Sequence, residues 1–261
     1  MVVLAVVNQK GGVGKTVTAV NLAHGLAMHG YRTLLMDLDP QGNVADCLGL
    51  PPGNDLYRLL FPGSGLLLKE STTSTGRQDL DVVRSDKSSA NLKLAIGALA
   101  DRPREYILDD VLREARYDVV VLDCAPSVDI LHTLAVVAAH YIVIPTRLDQ
   151  LAVKGVRDML TTLKSMSRLT TCELGAIVPT FYDRTTKESY LQLKHLVDAF
   201  REYVWPPIPQ DVVCRESSRF GQTLWEYSPN TRSLVGYEDR NGRLIGGYQQ
   251  VVKRIEEALI R

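Results

Sequence analysis

The start of the chain constrains the fold more than any other stretch. Residues 2–7, Val-Val-Leu-Ala-Val-Val, run into the loop Lys10-Gly11-Gly12-Val13-Gly14-Lys15-Thr16, and an amphipathic stretch of helix length follows to residue 29. An apolar run without alternation has no polar side to turn to water, so it fits a strand covered on both faces. Glycines let consecutive backbone N–H groups turn inward as an anion nest, and the start of the following helix adds its positive dipole end. Lys15 is placed to neutralise the β- and γ-phosphates of a nucleotide, and the Thr16 hydroxyl to ligate magnesium. A glycine-rich turn with a solvated lysine is the plainer reading, but the strand before and the helix after favour the phosphate loop.

The same alternation recurs along the chain. Short β-branched runs at 32–36, 80–84, 118–122, 141–144 and 174–178 alternate with helix-length segments at 104–115, 129–138, 153–167, 187–203 and 248–260. This predicts an α/β fold, a doubly wound, mostly parallel twisted sheet with helices on both faces. Residues 51–76 and 228–247 are rich in turn formers and read as surface excursions, the first with one short helix. With 261 residues the default is one domain, 1–261, without an N-terminal helix-turn-helix module. Thirty basic and thirty acidic residues cancel, so any nucleic-acid binding must come from a local patch. The four cysteines lack C-x-x-C spacing and read as reduced core thiols. No apolar stretch approaches the roughly 18 residues that span a bilayer.

Two further strand ends carry acids. Asp37 and Asp39 follow the run 32–36, and their period-2 spacing puts both on one side of the chain. Asp123 ends the run 118–122 and is followed by Cys124-Ala125-Pro126-Ser127, a strand-then-acid arrangement suited to holding magnesium through water. Doubly wound sheets place their ligands at this carboxyl edge.

Lys10, ahead of the glycines, does not belong to an ordinary phosphate loop. The string from Lys10 to Thr16 resembles the deviant Walker A loop of the ParA/MinD ATPases, in which an extra lysine reaches across a dimer to the partner subunit's phosphates. Asp37-Leu38-Asp39-Pro40 resembles the family's switch I, which implies that Asp39 orients the attacking water and that Asp37 lies near the magnesium shell. Asp123-Cys124-Ala125-Pro126-Ser127 resembles its D-C-P-P-S segment with one proline replaced. Resemblance continues through Ile144-Pro145-Thr146, residues 179–185 and residues 208–221, nearly the whole chain.

The implied site comprises Lys10, Lys15 and Asp39 as catalytic groups and the loop from Lys10 to Val17, Gly11, Gly12, Val13, Gly14 and Thr16 included, around ATP. Thr16, Asp37 and Asp123 serve Mg2+, and Pro179, Thr180, Pro209 and Asp211 the adenine. Val17 stands where relatives carry a hydroxyl, leaving its backbone N–H for the α-phosphate, and Val213 stands where many carry a DNA-contacting arginine. The resemblance further implies an ATP-dependent homodimer that binds non-specific double-stranded DNA on the nucleoid, in the cytoplasm, and is stimulated by a ParB-like partner. Candidate DNA contacts are Lys187, Lys194, Arg201, Arg215, Arg219, Lys253 and Arg254.

Other readings stay open. A MinD-like membrane switch needs an amphipathic C-terminal anchor, but Glu256 and Glu257 nearly cancel the basic charge there, and a core-packed last helix fits better. A metal-cluster carrier needs thiolates brought together, for which the cysteine spacing gives no support. A non-DNA cargo and a nucleotide-gated module with negligible turnover also remain, though Asp39 argues against the latter.

Overall fold

The computed structural model describes residues 1–99, 103–239 and 241–260. Seven strands form one sheet: β1 (Val2–Val6), β2 (Thr33–Asp37), β3 (Thr73–Arg77), β4 (Leu80–Val83), β5 (Val119–Asp123), β6 (Tyr141–Arg147) and β7 (Glu173–Thr180). Their order is β3-β4-β2-β5-β1-β6-β7, and every neighbouring pair is parallel except β3 with β4. The chain leaves β1 for β2 on one side and later returns to β6 on the other, so the loop after β1 opens at the point where the winding reverses.

Twelve helices lie among the described residues: α1 (Lys15–Met28), α2 (Asn43–Leu48), α3 (Asp55–Leu60), α4 (Ala90–Gly97), α5 (Ile107–Leu112), α6 (Ile130–Ala138), α7 (Ala152–Ser165), α8 (Lys187–Phe200), α9 (Val213–Arg219), α10 (Leu224–Tyr227), α11 (Arg232–Val235) and α12 (Gly247–Ala258). Period 2 sorts the strand side chains between two cores. Val120 and Leu122 join the one closed by Leu56, Leu92, Leu108, Leu134, Val156 and Leu196 of α3 to α8. Val119 and Val121 join the one closed by Leu22, Val44, Leu224, Leu234 and Val252 of α1, α2 and α10 to α12, with Val213 of α9 packed against it.

α1 begins at Gly14 without a side-chain cap, so packing must hold it in place. Leu22 and Leu26 are fully buried, each contributing roughly 1.5–3 kcal/mol. Tyr248 of α12 meets Thr18 at 3.1 Å, and Asn21 accepts from Leu224 N–H at 3.0 Å. α12 buries Tyr248, Val251, Val252 and Ile255 and packs on α1 and α11, so the last helix belongs to the core, as its pattern suggests. No helix among the described residues is long and apolar enough to cross a membrane.

The two excursions hold more structure than their composition suggests. Residues 51–76 contain α3, as expected, but run on into β3, an edge strand whose inward Thr75 donates to Leu80 O at 2.6 Å. Polar residues hide it from apolar-period reading, and they suit an edge that must not recruit other strands. Residues 228–247 contain a hairpin of two short strands, β8 (Tyr237–Glu238) and β9 (Leu244–Ile245). The helix expected over 104–115 is a 3-10 turn, Arg104–Tyr106, followed by α5. The one expected over 187–203 stops at Phe200, because Arg201 takes a left-handed φ of 48°.

Candidate nucleotide site

Parallel register brings the acids together. β5 pairs with both β1 and β2, setting Val6 and Asp37 each opposite Asp123, so one carboxyl edge presents both carboxylates and, beside Asp123, the start of the loop. Asn8 anchors the loop: its amide donates to Pro145 O at 2.8 Å and its Oδ1 accepts from Lys10 N–H at 2.9 Å. Gly12 and Gly14 adopt φ of 70° and 91°, a conformation that side chains resist. From the other side Thr180 Oγ1 donates to Val13 O at 2.9 Å.

Lys15 is buried, and its ammonium donates back to Lys10 O at 3.1 Å. Burial lowers its pKa, with Asp123 the main opposing influence. Asp123 is 1% exposed, and neither carboxylate oxygen has a hydrogen-bond partner among the described residues. Burial pushes its pKa up to about 7, with the nearby Thr16 hydroxyl as the main restraint, although that hydroxyl does not complete a hydrogen bond.

A buried, unpartnered carboxylate beside a hydroxyl and a lysine is costly unless a cation joins it. Magnesium fits this donor set, since it favours one or two protein oxygens plus water and phosphate over an all-protein cage. Asp123 and Thr16 have oxygens to offer. Asp37 is partly engaged: its Oδ1 accepts from Asp39 N–H at 2.9 Å and its Oδ2 from Val44 N–H at 3.2 Å, which leaves each oxygen one lone pair. Asp37 thus braces the loop leading into α2 while lying opposite Asp123, and burial beside Asp123 drives its pKa well above the usual range. Asp39 stands half-exposed one turn further out and accepts from Gln41 N–H at 2.9 Å.

Gly11 and Gly12 are exposed and Val13 is buried, while Val17 is half-buried against the α1 core. The segments carrying Pro179, Thr180 and Pro209 run side by side, since Ile208 N–H donates to Pro179 O at 2.7 Å and Tyr182 bridges Pro209, and Asp211 follows two positions on. Two of the four are already engaged through their side chains. The Thr180 hydroxyl is on Val13 O, and the Asp211 carboxylate accepts from Val213 N–H at 3.1 Å and from the Thr231 hydroxyl at 2.5 Å.

Lys10 sits on the loop's rim, where its ammonium is ion-paired with Asp149 in the turn between β6 and α7. Sequence reading missed Asp149 and Asn8; a polar residue directly after an apolar run was the available signal for Asn8, whereas Asp149 lies two positions past a strand that ends in Thr146 and Arg147.

The seven basic candidates do not form one patch. Lys187, Lys194 and Arg201 belong to α8 and its end, over one face of the sheet, whereas Arg215, Arg219, Lys253 and Arg254 lie on α9 and α12 over the other. Lys253 also faces Glu257 at 4.0 Å, and Arg254 covers the Trp205 ring at 5.4 Å.

A reversing parallel sheet with a glycine loop, a buried lysine and a strand-end aspartate at its carboxyl edge defines a P-loop ATPase, and the AAA domain family matches residues 1–175. The chain is 35% identical over 263 residues to the chromosome-partitioning ATPase Soj of Thermus thermophilus, covering 98% of this chain and 97% of that protein. It is 30% identical to cobyrinic acid a,c-diamide synthase of Mycobacterium smegmatis, solved with an ATP analogue and magnesium, at a TM-score of 0.74 over 88% of this chain and 96% of that one. Apo McdA of Cyanothece, 19% identical, matches the fold at a TM-score of 0.82 over 99% of both chains. The chain belongs to the ParA/MinD family of P-loop ATPases, with Soj and ParA partition ATPases among its relatives.

Proposed function

We propose that this chain is an ATP-gated dimerising switch that binds non-specific DNA in its ATP state and drives segregation or positioning of DNA with a ParB-like partner. Several groups support the ATP site. The N–H groups from Gly12 to Thr16 and the α1 terminus receive the phosphates, and Lys15 neutralises them from below. Thr16 and Asp123 hold magnesium, which when bound offsets charge on the β- and γ-phosphates. Asp39 orients the attacking water, while Asp37 fixes the loop that carries it. Lys10, released from Asp149, reaches the phosphates of a second subunit, where two apposed polyphosphates would otherwise repel strongly.

The observation that carries this reading is the contrast between an orphaned, buried Asp123 beside Lys15 and a rim lysine held by a single exposed-side partner. The chromosome-partitioning role named for Soj supports DNA as cargo. Sedimentation of wild type and Asp39→Ala with Mg·ATP, with and without duplex DNA at two salt concentrations, tests it. The expected result is an ATP-dependent dimer that the substitution traps and that binds DNA in a salt-sensitive way. A chain that stays monomeric with ATP would overturn the role given to Lys10, and a dimer indifferent to DNA would overturn the cargo.

A further inference from the structure

Every N–H of the Arg77 guanidinium, at the end of β3, is engaged. Nε donates to Glu226 Oε1 at 2.9 Å, one amino group to Leu48 O at 3.1 Å and Thr75 O at 3.4 Å, and the other to Glu226 Oε2 at 2.8 Å and Gly221 O at 3.2 Å. The side chain is only 11% exposed, so water hardly competes for these bonds. Leu48 ends α2, Gly221 lies in the turn between α9 and α10, and Glu226 stands in the first turn of α10. Glu226 in turn accepts from the Thr223 N–H at 2.9 Å and hydroxyl at 3.2 Å, and that hydroxyl meets Nδ1 of buried His24 on α1 at 2.7 Å. Beside the guanidinium two backbones touch directly. Gly49 and Gly221 take left-handed φ of 69° and 65°, and a Cβ on Gly221 would sit 2.4 Å from Gly49 Cα.

The other end of α2 begins at the nucleotide site. Val44 N–H is held by Asp37, and Gly42 N–H donates to Asp39 O at 3.0 Å. A shift of residues 39–43 on nucleotide loading is therefore carried along α2 to Leu48 and Gly49. There it meets a seam with no side chain to absorb it and a shielded, charge-assisted bond network that is costly to leave unmade. Packed interiors jump between arrangements more readily than they stretch, so the end of α2, the Gly221 turn and the start of α10 move as one body. That body carries exposed Arg215, Arg219 and Phe220, the last stacked on Tyr227 at 5.5 Å and 14°.

We infer that Arg77 is a positioning residue that transmits the nucleotide state of residues 39–48 to the outer surface of α9 and α10. The role presupposes the ATP-gated switch and gives it a route inside one subunit, so the α9 surface responds before any second subunit arrives. A lysine cannot replace Arg77, because a point charge on a flexible stem cannot hold a carboxylate and two separate carbonyls at once.

Hydrogen exchange on the full chain, read by mass spectrometry with and without magnesium and β,γ-imido-ATP, tests the relay. In wild type the nucleotide should change protection at residues 11–18, 43–50 and 213–227. In Arg77→Met and in Arg77→Lys the changes at 11–18 and 43–50 should persist, while the change at 213–227 shrinks at least about 3-fold. Glu226→Gln keeps an acceptor for Thr223 and removes the ion pair, so it reports on the relay even where Arg77→Met folds poorly, and it should move in the same direction. Lys10→Met, impaired in dimerisation, should keep the full change at 213–227.

Faster exchange in the variants with the nucleotide-induced change at 213–227 intact would make Arg77 a structural staple and overturn the relay. Loss of that change in Lys10→Met would assign it to the second subunit and overturn it as well. Protection at 11–18 without any change at 43–50 would overturn the relay while leaving ATP binding in place, whereas no protection at 11–18 would overturn the ATP site itself and the relay with it.

Discussion

Lys15 and Lys10 stand five positions apart in one loop, yet the structure treats them oppositely. Lys15 is buried, bonded to backbone and faced by a carboxylate with no other partner, whereas Lys10 is 40% exposed along its side chain and held by one acid. The floor of the site is preformed and carries uncompensated charge; the rim is one modest ion pair away from another arrangement. Binding the nucleotide and committing to a second subunit therefore draw on different energies, and perturbations of the two should separate.

The largest effect should come from the floor without any ligand. With its pKa at about 7, folded Asp123 keeps a proton that the unfolded chain releases near the ordinary value of 3.8. Between those two values the folded state binds more protons, so this group's contribution to stability falls as pH rises, by up to about 4 kcal/mol across the window. Buried His24 and His132, both with lowered pKa, act in the opposite direction as pH falls below about 6.5. The difference between wild type and Asp123→Asn isolates the aspartate: in urea melts of ligand-free protein, wild type should lose ground to the variant from pH 4 to pH 7. A difference independent of pH would mean that Asp123 is not a buried, unpaired acid. Mg·ATP, by holding Asp123 ionised, should flatten that trend between pH 4 and pH 7.

Next in size is Lys15→Met. A charge-assisted hydrogen bond to phosphate contributes roughly 1.5–3 kcal/mol, so ATP affinity should fall by about 10- to 150-fold. Titration calorimetry reads this directly, and Lys10→Met is the comparison: its monomer affinity should stay within about 3-fold of wild type, because the rim lysine serves the other subunit. Equal losses in the two variants would erase the distinction between floor and rim.

How much of this contrast the sequence carries follows from chain distance. The floor is nearly contiguous: strand, glycines, Lys15 and Thr16 fall within residues 2–16, and Asp123 ends an apolar run with a plain period. Such features survive a one-dimensional reading because local geometry creates them. The rim does not, since Lys10 meets Asp149 across 139 positions and only the pairing of β1 with β6 brings them together. Asp37 was legible as a strand-end acid, but not as one whose two oxygens are claimed by Asp39 and Val44 N–H. The spread of the basic candidates was hidden for a related reason. They share the last third of the chain, yet α8 and α12 cover opposite faces of the sheet. Strand β3 and the C-terminal hairpin escaped because two-residue or polar strands carry no apolar period.

The smallest effect tests the rim itself. Half-exposed ion pairs are worth about 0.2–1 kcal/mol, so Asp149→Ala should release Lys10 at little cost to folding. If the pair restrains the lysine in the monomer, its removal strengthens the ATP-dependent dimer by at most about 5-fold, which sedimentation equilibrium resolves. Asp149 also accepts from Leu151 N–H at 3.0 Å at the start of α7, so alanine alone could loosen that turn. Asp149→Asn separates the two roles, because it keeps an acceptor for the turn and loses the charge. A stronger dimer in both variants assigns Asp149 to holding Lys10 back. A weaker dimer in both would instead make the acid part of the closed state, and the rim would then be built for the dimer from the start.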